Sequence, residues 1–346
     1  MEIGIVDLVS FDHGFAWRHW AVWYFLLVGS AVGASLIAFI AACRDEGAPE
    51  VRPALFAAAL CGIAAPFPLL ADIHQPARFM HFYLSAATDS VMWWGAWFLP
   101  AFVGGLAVLV FLHSPYGKRF VDFRKYAWYW TAAFAVSVLA YTAGEMTIVR
   151  ARPIWHNAFF PVMLSISAIV SGAGIVSVVA AVRGEKSGIA PRVMAIGSLL
   201  FVAGILTWIV FGLGRSVDNG GAFTELAVQD KPASILLLMV IVCGFGGAMV
   251  AFIRPRDAVM NVLAGLLAVL GALIFRWQLF MGGQAQPKTE AGFLPYSLFA
   301  NSDALAGLVG TVGLLVVTVA ALSFVLVDKD GAGEDHAASH TAHTAL

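Results

Sequence analysis

The sequence predicts an all-α polytopic membrane protein with nine transmembrane helices. Three observations predict it. Hydrophobic residues make up 60% of the 346-residue chain and charged residues only 12%, about half the ~25% charged share of a soluble domain. The mean hydropathy is +0.85. Apolar runs near the ~20 residues that a bilayer core demands of each helix recur along the chain, parted by short breaks rich in charge, Gly and Pro.

The first span covers 17–43, opens at Arg18-His19 and carries Gly29-x-x-x-Gly33, a pattern that lets two helix backbones approach closely. Arg44-Asp45-Glu46-Gly47 ends it. The second, 54–71, is interrupted by Pro66 and Pro68. The third, 89–113, opens on Trp93, Trp94 and Trp97, either an interfacial anchor or the wall of an aromatic pocket. The fourth, 126–146, follows the break Ser114-Pro115-Tyr116-Gly117-Lys118-Arg119 and carries Tyr141 and Glu145 near its end. Spans at 157–182, 193–213, 233–253 and 258–281 follow, separated by breaks such as Gly184-Glu185-Lys186-Ser187-Gly188 and Arg254-Pro255-Arg256. The ninth covers 304–327. Residues 1–16 form an N-terminal segment. The polar tail 328–346 is expected to be disordered, with His336, His340 and His343 solvated rather than metal-bound.

Lys and Arg in the loops set the orientation. Of the 20, 12 fall on the side of the loops near 44–52, 118–125, 183–192 and 254–256 and the C-terminal tail. This bias places the N-terminus outside and the C-terminus in the cytoplasm.

Ionisable side chains within spans are costly and are functional candidates. Asp72, Glu145, Arg276, Arg18 and His19 all fall near the outer edge. Arg18 and Arg276 also fit interfacial snorkelling, whereas short acidic side chains snorkel poorly. Tyr141 lies one turn before Glu145, on the same helix face. A phenol and a carboxylate facing one cavity suit hydrogen bonding to a quinone carbonyl and relay of its proton. An interfacial tyrosine is the alternative.

The three cysteines, Cys43, Cys61 and Cys243, are scattered, so neither a protein-held iron–sulfur cluster nor a disulfide is expected. The histidines lack the facing pairs that bis-His heme needs on both sides of the membrane. No nucleotide-binding glycine loop, hydrolase triad or zinc signature stands out. The net charge of −1 gives no case for nucleic-acid binding. No heme, iron–sulfur cluster or metal is therefore expected on this chain. Any electron chemistry needs a partner and a diffusible quinone, menaquinone or ubiquinone.

Four stretches resemble the NrfD/polysulfide-reductase membrane-subunit family: His19-Trp20 with Phe25 through Gly33; Asp72 through Pro76-Ala77-Arg78-Phe79; Ser90 with Trp93-Trp94-Gly95-Ala96-Trp97; and Tyr141 through Arg152-Pro153-Ile154-Trp155-His156-Asn157. A weaker fifth runs from Ala264 to Gln284. The resemblance implies two four-helix bundles, here 17–146 and 157–281, with 304–327 as an additional helix. It implies a quinone site at the outer face, beneath a four-cluster ferredoxin-like iron–sulfur subunit that leads to a molybdopterin catalytic subunit. Tyr141 falls at the family's quinone-contacting tyrosine and Asp72 near its acidic residue. Polysulfide-reductase relatives place Asn and His in the first helix as quinone contacts, but Val22 and Phe25 occupy those positions here. His19 or His74 is expected to take over.

The expected function is thus the quinone-reactive subunit of a respiratory complex of the polysulfide or tetrathionate reductase type, in a bacterial inner membrane. Tyr141, Glu145 and Asp72 are the candidate catalytic residues. His19, His74, Tyr141, Trp94, Arg78 and Arg152 are the candidate quinone-site residues, the arginines tuning carboxylates or docking the partner. The alternatives are a secondary transporter, which the charge-poor middle of most spans disfavours, and a redox-silent membrane anchor.

Overall fold

A computed structural model describes residues 15, 17–73, 75–216, 220–253, 257–286 and 302–326. These contain helices and turns, with no strand among the described residues. A chain this apolar has no water to satisfy its amides within a bilayer, so it closes each hydrogen bond within its own helix.

Helix α1 spans His19–Arg44. The second span is one apolar passage over Val51–Asp72, split into α2 (Val51–Ala64) and α3 (Pro66–Asp72). Pro66 lacks an N–H and opens α3 at its first turn, where that loss costs least. The short α4 (His81–Leu84) precedes α5 (Val91–His113), and α6 follows over Arg124–Thr147. Next come α7 (Phe159–Val182) and α8 (Ala190–Gly212), with Gly184 at φ +67° turning the chain between them. The short α9 (Ala222–Gln229) leads to α10 (Lys231–Ile253). Then α11 (Ala258–Trp277) runs through a π-helical turn, Gln278–Gly282, into α12 (Gly283–Ala285). Last is α13 (Ser302–Leu326).

Eight of these passages are long and apolar enough to cross a membrane among the described residues. The other long helix, α6, is expected from the sequence as a span and forms over 24 residues, but is less apolar. The sequence reading missed α9, which buries Phe223 and Leu226 under the ends of α8 and α10. The N-terminal segment before residue 15, His74, Arg254-Pro255-Arg256 and the tail from 327, with its three histidines, lie outside the described residues.

The contacts run in two circuits. Helix α1 packs on α2 and α6, and α5 packs on α2 and α6. Likewise α7 packs on α8 and α11, and α10 packs on α8 and α11. Helix α1 joins the circuits by lying along α7. Gly29 and Gly33 face Ala168 there, and a methyl group on Gly33 would run into the Ala168 carbonyl. Bare backbones in contact gain dispersion along the whole seam, which is how small residues hold helices together in lipid. Ser30 Oγ donates to Ser171 Oγ at 2.9 Å across the seam. Helix α13 leans on α2, with lesser contact to α1 and α5.

The two ends of the helices differ. At one end Arg52 holds the Leu326 carbonyl at 3.0 Å, Arg183 pairs with Glu185 at 3.1 Å, and His113 lies 3.7 Å from Glu46. The other end carries Asp72, Glu145 and the segment 148–157.

Candidate functional site

At that second end four elements enclose a cavity of about 530 Å³. Helical spacing decides who faces it. From α1 come Ala21 and Tyr24, with Trp17 just before the helix; 17, 21 and 24 form one helical stripe. From α5 come Met92, Gly95, Ala96, Leu99, Pro100 and Val103, again one stripe. Helix α6 gives Tyr141 and Glu145, four residues apart. Helix α3 and the chain after it give Pro66, Leu69, Leu70, Asp72 and Ile73. Phe79, Phe82 and Tyr83 close the cavity from the connection between α3 and α5.

The walls are apolar and aromatic, and the few polar groups converge. Tyr141 donates its hydroxyl proton to the Glu145 carboxylate. Glu145 is only 7% exposed. Tyr24, 1% exposed, lies within electrostatic reach of both. A methyl group on Gly95 would overlap the Tyr141 ring, so glycine there gives the ring its place. At the rim Asp72 Oδ1 accepts the Arg18 backbone N–H at 3.1 Å. Partial burial raises the pKa of Tyr83 in the closing segment.

Behind the cavity an aromatic stack braces α1. Phe280, in the π-helical turn, stacks on Phe25 at 4.2 Å and on Trp17 at 6.2 Å between ring centroids. Gln284 clasps the Trp17 backbone twice, accepting its N–H and donating to its carbonyl, both at 2.9 Å. The stripe bearing Trp17, Ala21 and Tyr24 is thereby held in register from the far side.

Of the residues singled out from the sequence, Asp72, Tyr141 and Glu145 line this one cavity. His19 is buried elsewhere, beside Trp20 at 5.0 Å and against Gly307 of α13. Trp94 is 46% exposed and donates to the Thr88 carbonyl at 3.0 Å. Arg78 is exposed and bonds Gln75 at 2.9 Å. Arg152 faces carbonyl oxygens instead of a carboxylate, donating to Gln286 at 2.9 Å and Gln284 at 3.1 Å. Burial lowers its pKa. Val22 and Phe25 are buried, and the first-helix polar group in the cavity is Tyr24, between them. Sequence reading passed over Tyr24, an uncharged side chain within the apolar run of α1. Its seven-residue spacing from Trp17, two turns on one face, was the available signal. Among the described residues no group of three or more His, Cys, Asp or Glu is placed to hold a metal.

Residues 9–288 match the family described as "Polysulphide reductase, NrfD". The chain belongs to this family. It is also 32% identical over 319 residues to a tetrathionate reductase subunit of Salmonella typhimurium, covering 90% of this chain and 92% of that one. The NrfD match runs from before α1 into the stretch after α12, and so contains every cavity-lining residue.

Proposed function

We propose that the chain is the quinone-reactive membrane subunit of a respiratory molybdopterin/iron–sulfur reductase, exchanging electrons between the membrane quinone pool and an iron–sulfur partner. The observation that carries this reading is the hydrogen-bonded Tyr141–Glu145 pair in an apolar, aromatic-walled cavity. A flat, lipid-soluble head group needs such walls, and its oxidation or reduction needs a proton-exchanging group beside them. Oxidising a quinol releases two protons and two electrons. Glu145, with Tyr141 and Asp72, is suited to take up the protons, while the electrons pass to the partner's clusters.

The relative's name supports a reductase complex of the tetrathionate type. Family membership supports an iron–sulfur subunit and a molybdopterin subunit as partners. We place the cavity at the outer face of a bacterial inner membrane, because the loops at the opposite end carry the larger share of Lys and Arg. The two contact circuits then read as two four-helix bundles, with α13 as a ninth span. A cavity near the helix ends suits exchange with an extramembrane partner better than transport, whose sites lie near the midplane. Binding of a quinone-site inhibitor to the purified complex tests the reading. Saturable binding lost in Tyr141→Phe and Glu145→Gln, with subunits still assembled, supports it. Binding untouched by both places the quinone elsewhere.

A further inference from the structure

We propose that Tyr24 is the hydrogen-bond donor for the carbonyl oxygen of the oxidised quinone, a deepening that rests on the quinone reading above. Tyr24 lines the cavity from α1, and its ring is 1% exposed. Its hydroxyl has no hydrogen-bond partner among the described residues. A buried hydroxyl left without a partner is costly, so a position like this needs a group that the protein itself does not supply.

Donor arithmetic separates the two tyrosines. A phenol has one proton to give. Tyr141 gives its own to Glu145, so it meets a ligand chiefly as an acceptor. Tyr24 has its proton uncommitted. A quinone carbonyl only accepts, and a quinol hydroxyl also donates. Tyr24 therefore answers the oxidised form, while Glu145 and the Tyr141 oxygen can answer the hydroxyl of the reduced form. One end of the cavity then holds both redox forms without moving a side chain.

The test compares 2,3-dimethyl-1,4-naphthoquinone with 2,3-dimethylnaphthalene, which keeps the ring system and lacks the carbonyls. Binding of each to the assembled complex is measured for wild type, Tyr24→Phe and Tyr126→Phe, an exposed tyrosine of α6 outside the cavity lining. Tyr24→Phe keeps the buried ring and removes only the hydroxyl, and an unchanged melting temperature confirms that it folds. The expected result is about tenfold weaker binding of the quinone to Tyr24→Phe, with the hydrocarbon and Tyr126→Phe unaffected. Equal weakening for both compounds assigns Tyr24 to packing and overturns the proposal. Unchanged quinone affinity in Tyr24→Phe also overturns it and leaves the quinone reading standing. Failure of wild type to bind the quinone overturns both.

Discussion

The Phe25 carbonyl oxygen accepts a hydrogen bond from Arg276 Nε at 3.1 Å, tying α11 to the turn of α1 that presents Tyr24 to the cavity. Arg276 is fully buried, and its Nη1 also donates to the Ala272 carbonyl at 3.3 Å. The guanidinium fits because residue 29 is glycine: a methyl group there would lie 2.6 Å from Nη2. Gly29→Ala is therefore expected to destabilise the protein by about 1–3 kcal/mol through overpacking. Arg276→Met alone should cost little, since apolar residues often replace buried charges well. Combined, the two should cost less than the sum, as coupled neighbours do. Denaturation of the four proteins in detergent measures this cycle. A Gly29→Ala cost unchanged by Arg276→Met would instead assign it to Ala168, 3.2 Å away.

Glu145→Gln keeps the shape of the side chain and removes its capacity to exchange a proton. Quinol-driven electron transfer to the complex should fall by about 100-fold or more, the usual scale for losing a positioned acid–base group. Tyr141→Phe should lower it less, since the carboxylate remains. Steady-state turnover with the complex intact checks the ranking, and equal rates for wild type and Glu145→Gln would remove Glu145 from the chemistry.

Two glycines on α5, Gly95 and Gly104, should behave oppositely. Gly95→Ala places a methyl group on the Tyr141 ring, so inhibitor affinity should drop at least tenfold as the ring shifts into the cavity. At Gly104 no described atom comes within 4 Å of the same added group. Gly104→Ala should leave binding unchanged and raise stability by up to about 1 kcal/mol, the helix preference of alanine over glycine.

Arg152→Ala removes the clasp on the Gln284 and Gln286 carbonyls. Charge-assisted bonds of this kind contribute about 1.5–3 kcal/mol. Hydrogen exchange at residues 283–286 should accelerate, with little change in inhibitor affinity. Arg152→Lys should recover only part of the protection, because an ammonium lacks the planar fork of Arg. A loss of inhibitor affinity larger than the loss of exchange protection would bring Arg152 into the cavity chemistry.

Hydropathy made the long helices legible, because burial in lipid acts on every residue of a span. The charge-bearing turn residues located most of their ends. The break at Pro66 was legible for the same local reason. Asp72, Tyr141 and Glu145 stood out because polar groups within or at the ends of apolar helices are rare. The partners of a side chain were not legible. Arg152 and Arg78 read as companions for carboxylates or as docking points for a partner; within the chain, backbone carbonyls hold Arg152 and Gln75 holds Arg78. His19 sits on the same helix as Tyr24, five residues earlier, and so turns to α13 instead of the cavity. The π-helical turn at Gln278–Gly282, which sets Phe280 against Phe25 and Trp17, leaves no mark in composition.

The described residues that line the cavity all lie between Trp17 and Glu145, so the helices from α7 onward bear on its contents through the helices that line it, chiefly through α1. The two halves therefore face different selection. A cavity-directed inhibitor should draw escape substitutions into the first 145 residues. From 159 onward, sequence is freer to drift or to accommodate a different membrane neighbour, provided that Arg276, Phe280, Gln284 and the small residues along α7 still hold α1 in register.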